Sequence, residues 1–170
     1  MKYEHITHPF EPVYTASSKI LILGSLPSVK SREQNFYYGH PQNRFWRVMS
    51  CILDEPLPQT IEEKKGMLQK HGIAVWDVIY SCDIIGSSDS SIKNVTPTDI
   101  AALVRKTQIK NIYCNGKTAG KLYGKYQQQM VGLPAITLPS TSPANAAFSI
   151  ERLVREWSDG LQHASGKSNI

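Results

Sequence analysis

Lys19-Ile20-Leu21-Ile22-Leu23-Gly24-Ser25-Leu26-Pro27-Ser28 joins a short apolar run to a polar, proline-containing loop. Its apolar half shows no polar alternation, carries β-branched Ile20 and Ile22, and stops at Gly24. Such a run is a strand buried on both faces, as in a parallel sheet. Ile73-Ala74-Val75-Trp76-Asp77-Val78-Ile79 repeats the pattern. So do Asn111-Ile112-Tyr113-Cys114-Asn115, which stops at Gly116, and Ala135-Ile136-Thr137-Leu138, which stops at Pro139.

Helical stretches lie between these runs. Phe45 to Leu53 is one. Thr60-Ile61-Glu62-Glu63 has the spacing of a capping box and predicts a helix to about His71. Thr96-Pro97-Thr98-Asp99 predicts another start, with Pro97 in the first turn. Lys117 to about Met130 and Ala146 to about Gln162 complete the set. Strand–helix alternation predicts an α/β fold, a three-layer α/β/α sandwich around a central parallel sheet of about four strands. No repeat or linker interrupts it, so residues 1–170 read as a single domain whose tail, 164–170, is expected to fray.

Composition narrows the function classes. With 170 residues the chain buries enough surface to fold without a staple. Hydrophobic residues are 41% and charged residues 19%, which excludes a disordered chain. No apolar run reaches the length of a membrane span, and Met1-Lys2-Tyr3-Glu4-His5 lacks the apolar centre of a signal peptide. A soluble, cytoplasmic protein is expected. Nineteen Lys+Arg against fourteen Asp+Glu give a net charge of +5, compatible with a polyanion partner without requiring one. Cys51, Cys82 and Cys114 are widely spaced with no CxxC pair, so they read as free thiols and not as ligands of an iron–sulfur cluster. His5 and His8 have helical spacing, but Pro9 follows at once, so no metal site is expected, and no cofactor.

In parallel α/β sheets, ligands bind beyond the carboxyl ends of the strands. Four segments should therefore meet in one cleft: the loop after Leu23, the residues around Asp77, the Asn115-Gly116 turn and the loop after Leu138. The first is long and holds Phe36-Tyr37-Tyr38-Gly39-His40-Pro41-Gln42-Asn43-Arg44-Phe45-Trp46. The last, Leu138-Pro139-Ser140-Thr141-Ser142-Pro143-Ala144-Asn145, offers hydroxyls and free amides to an anion, or caps the next helix through Ser142 or Asn145.

Together these segments resemble the uracil-DNA glycosylase superfamily. Gly24-Ser25-Leu26-Pro27-Ser28 looks like its first motif and the 138–145 stretch like its second. Tyr38-Gly39-His40-Pro41-Gln42-Asn43-Arg44-Phe45-Trp46 is similar to the His-Pro-x-Asn-x-Phe-Trp stretch of the mismatch-specific branch. Trp76-Asp77-Val78, Ser81-Cys82, Gly86 to Ile92 and Asn115-Gly116-Lys117 fit best with the hypoxanthine-DNA glycosylase branch. The resemblance spans about Lys19 to Trp157.

The resemblance implies hydrolysis of the bond between sugar and a flipped-out deaminated base, hypoxanthine first, leaving an abasic site. The alternatives are uracil, or a non-catalytic nucleic-acid-binding relative. A serine hydrolase is excluded because neither Ser25 nor Ser140 sits in a Gly-x-Ser-x-Gly elbow. DNA, duplex or single-stranded, is the implied partner, and a monomer is expected. The first motif carries Leu26 where relatives place asparagine or aspartate, so the catalytic role falls to Asn43, whose amide can both accept from and donate to a water. Asn43 is equally placed to cap the helix beginning at Arg44 or Phe45. The resemblance further implies base contacts from Ser25, Leu26, Tyr38, His40, Asp77 and Asn115, and phosphate contacts from Ser140, Thr141, Ser142 and Asn145. Asp77 is also placed to pair with a lysine, and Asn115 to cap a helix. Ala144 and Asn145 are weak candidates for a wedge into the base stack. Lys30, Arg32, Arg44 and Lys117 are candidates for a DNA-facing rim.

Overall fold

The computed structural model of the protein describes residues 2–164. In chain order its elements are β1 (Glu4–Thr7), β2 (Ile20–Gly24), α1 (Val29–Gln34), α2 (Phe45–Leu53), α3 (Ile61–Lys70), β3 (Ile73–Asp77), β4 (Ile79–Ile84), β5 (Lys93–Pro97), α4 (Ile100–Arg105), β6 (Asn111–Asn115), α5 (Lys117–Tyr126), α6 (Gln128–Val131), β7 (Ala135–Leu138) and α7 (Ile150–Ala164). Four strands form a parallel sheet in the order β3-β2-β6-β7.

The two faces of that sheet are covered by different helices, which makes the fold a three-layer α/β/α sandwich. Ile22, Val75 and Tyr113 face one way, onto Phe45, Val48 and Met49 of α2, Leu68 of α3, and Leu153 and Trp157 of α7. Leu21, Leu23, Ala74, Ile112 and Cys114 face the other way, onto Ile100 and Leu103 of α4 and Ala119 and Tyr123 of α5. Leu21, Ile22 and Leu23 are all fully buried, so successive residues of β2 each contribute about 1.5–3 kcal/mol to one layer or the other. Burial pushes the Cys114 thiol up to about 12, in keeping with an unreactive core residue.

Several elements differ from the sequence reading. The apolar run 73–79 is two strands: β3 ends at Asp77, and Ile79 begins β4. β4 joins β1 and β5 in a separate antiparallel sheet, order β1-β4-β5. The break at Val78 is held by buried polar groups. Thr98 Oγ1 donates to the carbonyl of Asp77 at 2.7 Å, and Gln127 Nε2 donates to the carbonyls of Val78 and Thr98 at 3.0 and 2.9 Å. Pro97 closes β5, and the following helix starts at Ile100 under an Asp99 cap. The helix predicted from Lys117 to Met130 is interrupted at Gln127, and the last helix begins at Ile150, with Ser149 Oγ accepting from Arg152 N–H. The loop after β2 contains α1, capped by Ser28. The capping box at Thr60 and Glu63 is present. Residues 165–170 of the expected frayed tail lie outside the described residues.

From β2 the chain crosses to β3 on one side, and later to β6 and β7 on the other. The loops leaving β2 and β6 therefore diverge, and a crevice opens between the carboxyl ends of these neighbouring strands. Among the described residues no helix is long and apolar enough to cross a membrane.

Leu153 is fully buried where α7 meets α2. Leu153→Ala is expected to lower stability by about 2–5 kcal/mol, read as a fall in urea midpoint at unchanged slope.

Candidate active site

A cleft of about 830 Å³ occupies this crevice. Its walls include Gly24 at the end of β2, Asp77 at the end of β3, Asn115 at the end of β6 and Leu138 at the end of β7. Ser25, Leu26, Tyr38, Asn43, Ser140, Thr141, Ser142 and Asn145 also line it. His40 does not: its Nδ1 accepts from Gln42 N–H at 3.0 Å and its carbonyl accepts from Asn43 N–H at 2.9 Å. It shapes the turn that leads into Asn43, and the base contact expected of it has no support in this placement.

Asn43, Thr141 and Asn115 form one hydrogen-bonded chain across the cleft. Asn43 Oδ1 accepts from Phe45 N–H at 2.9 Å and from Thr141 Oγ1 at 2.8 Å. Thr141 Oγ1 in turn accepts from Asn115 Nδ2 at 3.0 Å, and Asn115 Oδ1 accepts from Thr141 N–H at 3.0 Å. The polarity is unambiguous, because a backbone N–H can only donate: it fixes the oxygen end of both amides. Both lone pairs of Asn43 Oδ1 are occupied. What Asn43 offers the cleft is its Nδ2 and the two hydrogens on it.

This geometry changes two expectations. Asn43 does take up one of the free amides at the start of α2, and that capping leaves it a donor toward the cleft, without the accepting half of the water contact expected of it. Thr141 is fully buried, and both its hydroxyl and its amide are engaged, so it has no free group for the phosphate contact expected of it. Its place is to hold Asn43 and Asn115.

Ser140 and Ser142 stay closer to expectation. Ser140 Oγ accepts from Ser142 N–H and Ser142 Oγ from Ala144 N–H, both at 3.1 Å, so each hydroxyl retains its hydrogen for an acceptor in the cleft. Asn145 Nδ2 donates to the carbonyl of Ser140 at 3.0 Å. The loop is held by Arg44, whose guanidinium donates to the carbonyls of Phe148, Ser142 and Asn145. Arg44 therefore braces the loop instead of lining the rim. Of the other basic candidates, Arg32 and Lys117 line the cleft, and Lys30 lies 3.5 Å from Glu33 on the surface.

Asp77 is buried, and among the described residues no lysine forms an ion pair with it. Its Oδ2 lies 2.8 Å from His8 Nε2. Its Oδ1 lies against Gly24, where a Cβ would stand 2.5 Å from that oxygen and 3.3 Å from the Tyr38 hydroxyl. A glycine at the end of β2 thus leaves room for both the carboxylate and the phenol. Tyr38 is held at φ 54° in the left-handed region, and its ring stacks on Phe45 with centroids 4.1 Å apart. Its buried hydroxyl lies beside Asn115 but meets no partner with hydrogen-bond geometry among the described residues. Burial, and then the nearby Asp77, push its pKa well above the usual phenol range, so it stays an O–H donor. Sequence reasoning gave His8, Thr98 and Gln127 no part near the site, since each reaches its partner from a distant segment.

The profile of the family described as "Uracil DNA glycosylase superfamily" matches residues 11–159. The chain belongs to the uracil DNA glycosylase superfamily. Two relatives, both named "Hypoxanthine DNA glycosylase", bear on this superfamily chain. The protein from Methanosarcina acetivorans is 36% identical over 93% of this chain and 99% of its own. That from Methanosarcina barkeri is 34% identical over 90% and 96%. A solution NMR structure of a Methanosarcina acetivorans protein, offered as a candidate uracil DNA glycosylase, superposes with a TM-score of 0.78 at 34% identity, covering 92% of this chain and 96% of that one. Among the described residues no three His, Cys, Asp or Glu side chains group closely enough to hold a metal ion.

Thr141→Val removes the hydroxyl and leaves one end of each asparagine amide a partner short. It is expected to cost about 1–3 kcal/mol in a urea melt, with Thr141→Ser recovering most of the loss.

Proposed function

We propose that the protein is a monofunctional DNA glycosylase that hydrolyses the N-glycosidic bond of a flipped-out deaminated base, hypoxanthine first, and leaves an abasic site for repair. The observation that carries this reading is that one cleft is lined by both an acceptor, Asp77, and a donor, Asn43, whose Oδ1 is taken up by Phe45 N–H and the Thr141 hydroxyl. The naming of the two Methanosarcina relatives supports the choice of base.

Deamination inverts one position of the base edge. Adenine carries a lone pair at N1, and hypoxanthine a hydrogen there next to a carbonyl. A carboxylate oxygen accepts from that N–H and repels the adenine lone pair, so Asp77 reads the lesion by charge as well as by shape. Uracil is the second reading, because its N3–H beside a carbonyl presents the same pattern to Asp77. Tyr38, backed by Phe45, supplies a stacking surface worth about 1–3 kcal/mol per base. Flipping itself is least costly at a mismatched or damaged pair.

As the glycosidic bond breaks, negative charge builds on the departing base. A donor aimed there stabilises the transition state more than the ground state. Asn43, with both lone pairs of Oδ1 occupied, is the donor in this reading, in place of a residue that also accepts a hydrogen bond from a positioned water. Ser140 and Ser142 donate to phosphates beside the flipped nucleotide, with Arg32 and Lys117 adding charge on the rim. The protein acts on DNA as a single chain without a cofactor in this scheme.

Duplexes bearing one deoxyinosine or one deoxyuridine, incubated with the protein and then treated with alkali, test the reading. Cleavage at deoxyinosine is expected, and intact strands at both lesions would overturn it. Asn43→Ala is expected to slow release about 100- to 1,000-fold, the loss seen for a single oxyanion donor. Asn43→Asp is expected to be equally poor, since it presents a carboxylate oxygen to the growing negative charge. Full activity in Asn43→Asp would show that the residue works as an acceptor.

A further inference from the structure

We propose that His8 is the positioning residue for Asp77, and that its imidazole decides which carboxylate oxygen faces the base. The inference rests on the reading of Asp77 given above. His8 lies before residue 11, where the superfamily match begins, and 69 positions from Asp77 in the chain.

The fold delivers the two together. β1 runs antiparallel to β4, with Thr7 opposite Ser81, so the next residue, His8, arrives at the start of β4, its N–H donating to the carbonyl of Tyr80. β4 starts two residues after Asp77. The antiparallel sheet thus returns the amino-terminal segment to the end of β3. Beyond His8 the segment is fastened again, by Tyr37 Oη donating to the carbonyl of Glu11 at 2.8 Å and by the Val13–Val75 bridge. The His8 ring is edge-on to Phe10, with centroids 4.7 Å apart, and 6.0 Å from the ring of Tyr37. Side-chain exposures of 2% for His8 and 4% for Asp77 keep this contact away from bulk water.

The tautomer follows from the same neighbours. Phe10 N–H points at His8 Nδ1 at 3.5 Å, a weak contact of unambiguous polarity. A ring that accepts at Nδ1 carries its hydrogen at Nε2 and donates it to Asp77 Oδ2. With Oδ2 held there, and the Asp77 carbonyl held by Thr98 Oγ1, the carboxylate cannot rotate away, and Oδ1 stays against Gly24 in the cleft. His8 does not itself line the cleft and acts through Asp77, which does.

The test uses the full chain and a duplex with one deoxyinosine, under single-turnover conditions with protein in excess. Three quantities are read: the rate of hypoxanthine release, affinity for a duplex carrying a tetrahydrofuran abasic analogue, and melting temperature. His8→Phe keeps a ring and loses the donor. It is expected to slow release about ten- to hundredfold, as for loss of a hydrogen bond to a charged group, while the affinity for the abasic duplex, which holds no base for Asp77 to read, is retained. His8→Gln places an amide nitrogen the same number of bonds from Cα and is expected to restore most of the rate. His8→Phe combined with Asp77→Asn is expected to be no slower than Asp77→Asn alone. Should His8→Phe not fold, the ¹⁵N spectrum of the wild-type imidazole decides, with a hydrogen on Nε2 and a bare Nδ1 expected. A wild-type rate in His8→Phe, a failure of His8→Gln to restore it, losses that multiply in the double variant, or the opposite tautomer would overturn the inference. Wild-type protein that releases no base from either lesion would instead overturn the glycosylase reading.

Discussion

A carboxylate buried at the end of a parallel strand must find its hydrogen bonds without water, and Asp77 is in that position. One oxygen is met by His8, and the other lies against Gly24, which has no side chain to obstruct it. Much of the surrounding structure serves this arrangement. The strand stops at Asp77 because Thr98 and Gln127 take the carbonyls that a longer ladder would have used. The small antiparallel sheet brings the imidazole to within 2.8 Å. The other neighbour of the free oxygen is a phenol kept protonated by burial.

A second constraint sets the chemistry of the opposite wall. Two backbone N–H groups, from Phe45 and Thr141, fix the orientation of two asparagine amides, and the Thr141 hydroxyl joins them. Side-chain amides can ordinarily serve at either end, but here each has its oxygen assigned. The cleft is therefore lined with groups of settled polarity before any ligand enters, an arrangement that avoids reorganisation during bond cleavage. Arg44 extends the same economy of motion to the serine loop by holding three of its carbonyls.

The parallel sheet was legible because its strands are apolar on both faces, and the cleft followed from where such strands end. Asn43, Asp77, Asn115 and the serine loop could be placed together before any coordinates, since each abuts a strand end or a helix start. The antiparallel sheet was not legible. Glu4-His5-Ile6-Thr7 and Lys93-Asn94-Val95-Thr96-Pro97 are mostly polar and mostly exposed, with no periodicity to separate them from loops. The apolar run through Val78 hid a break that depends on side chains 20 and 49 residues away. Residue type alone could not show that the Thr141 hydroxyl and amide are taken up by Asn43 and Asn115, because partners and not composition decide that. The direction in which Asn43 donates lay beyond any pattern, because two hydrogen bonds decide it.

The central claim is that the free oxygen of Asp77 accepts from the ring N–H that deamination creates. A crystal structure with a duplex carrying a non-hydrolysable 2′-fluoro analogue of deoxyinosine tests it most directly. Hypoxanthine is expected in the cleft with its N1 about 2.7–3.2 Å from Asp77 Oδ1 and His8 still on Oδ2. A base bound with its N1 turned away from Asp77, or left stacked in the duplex, would contradict it.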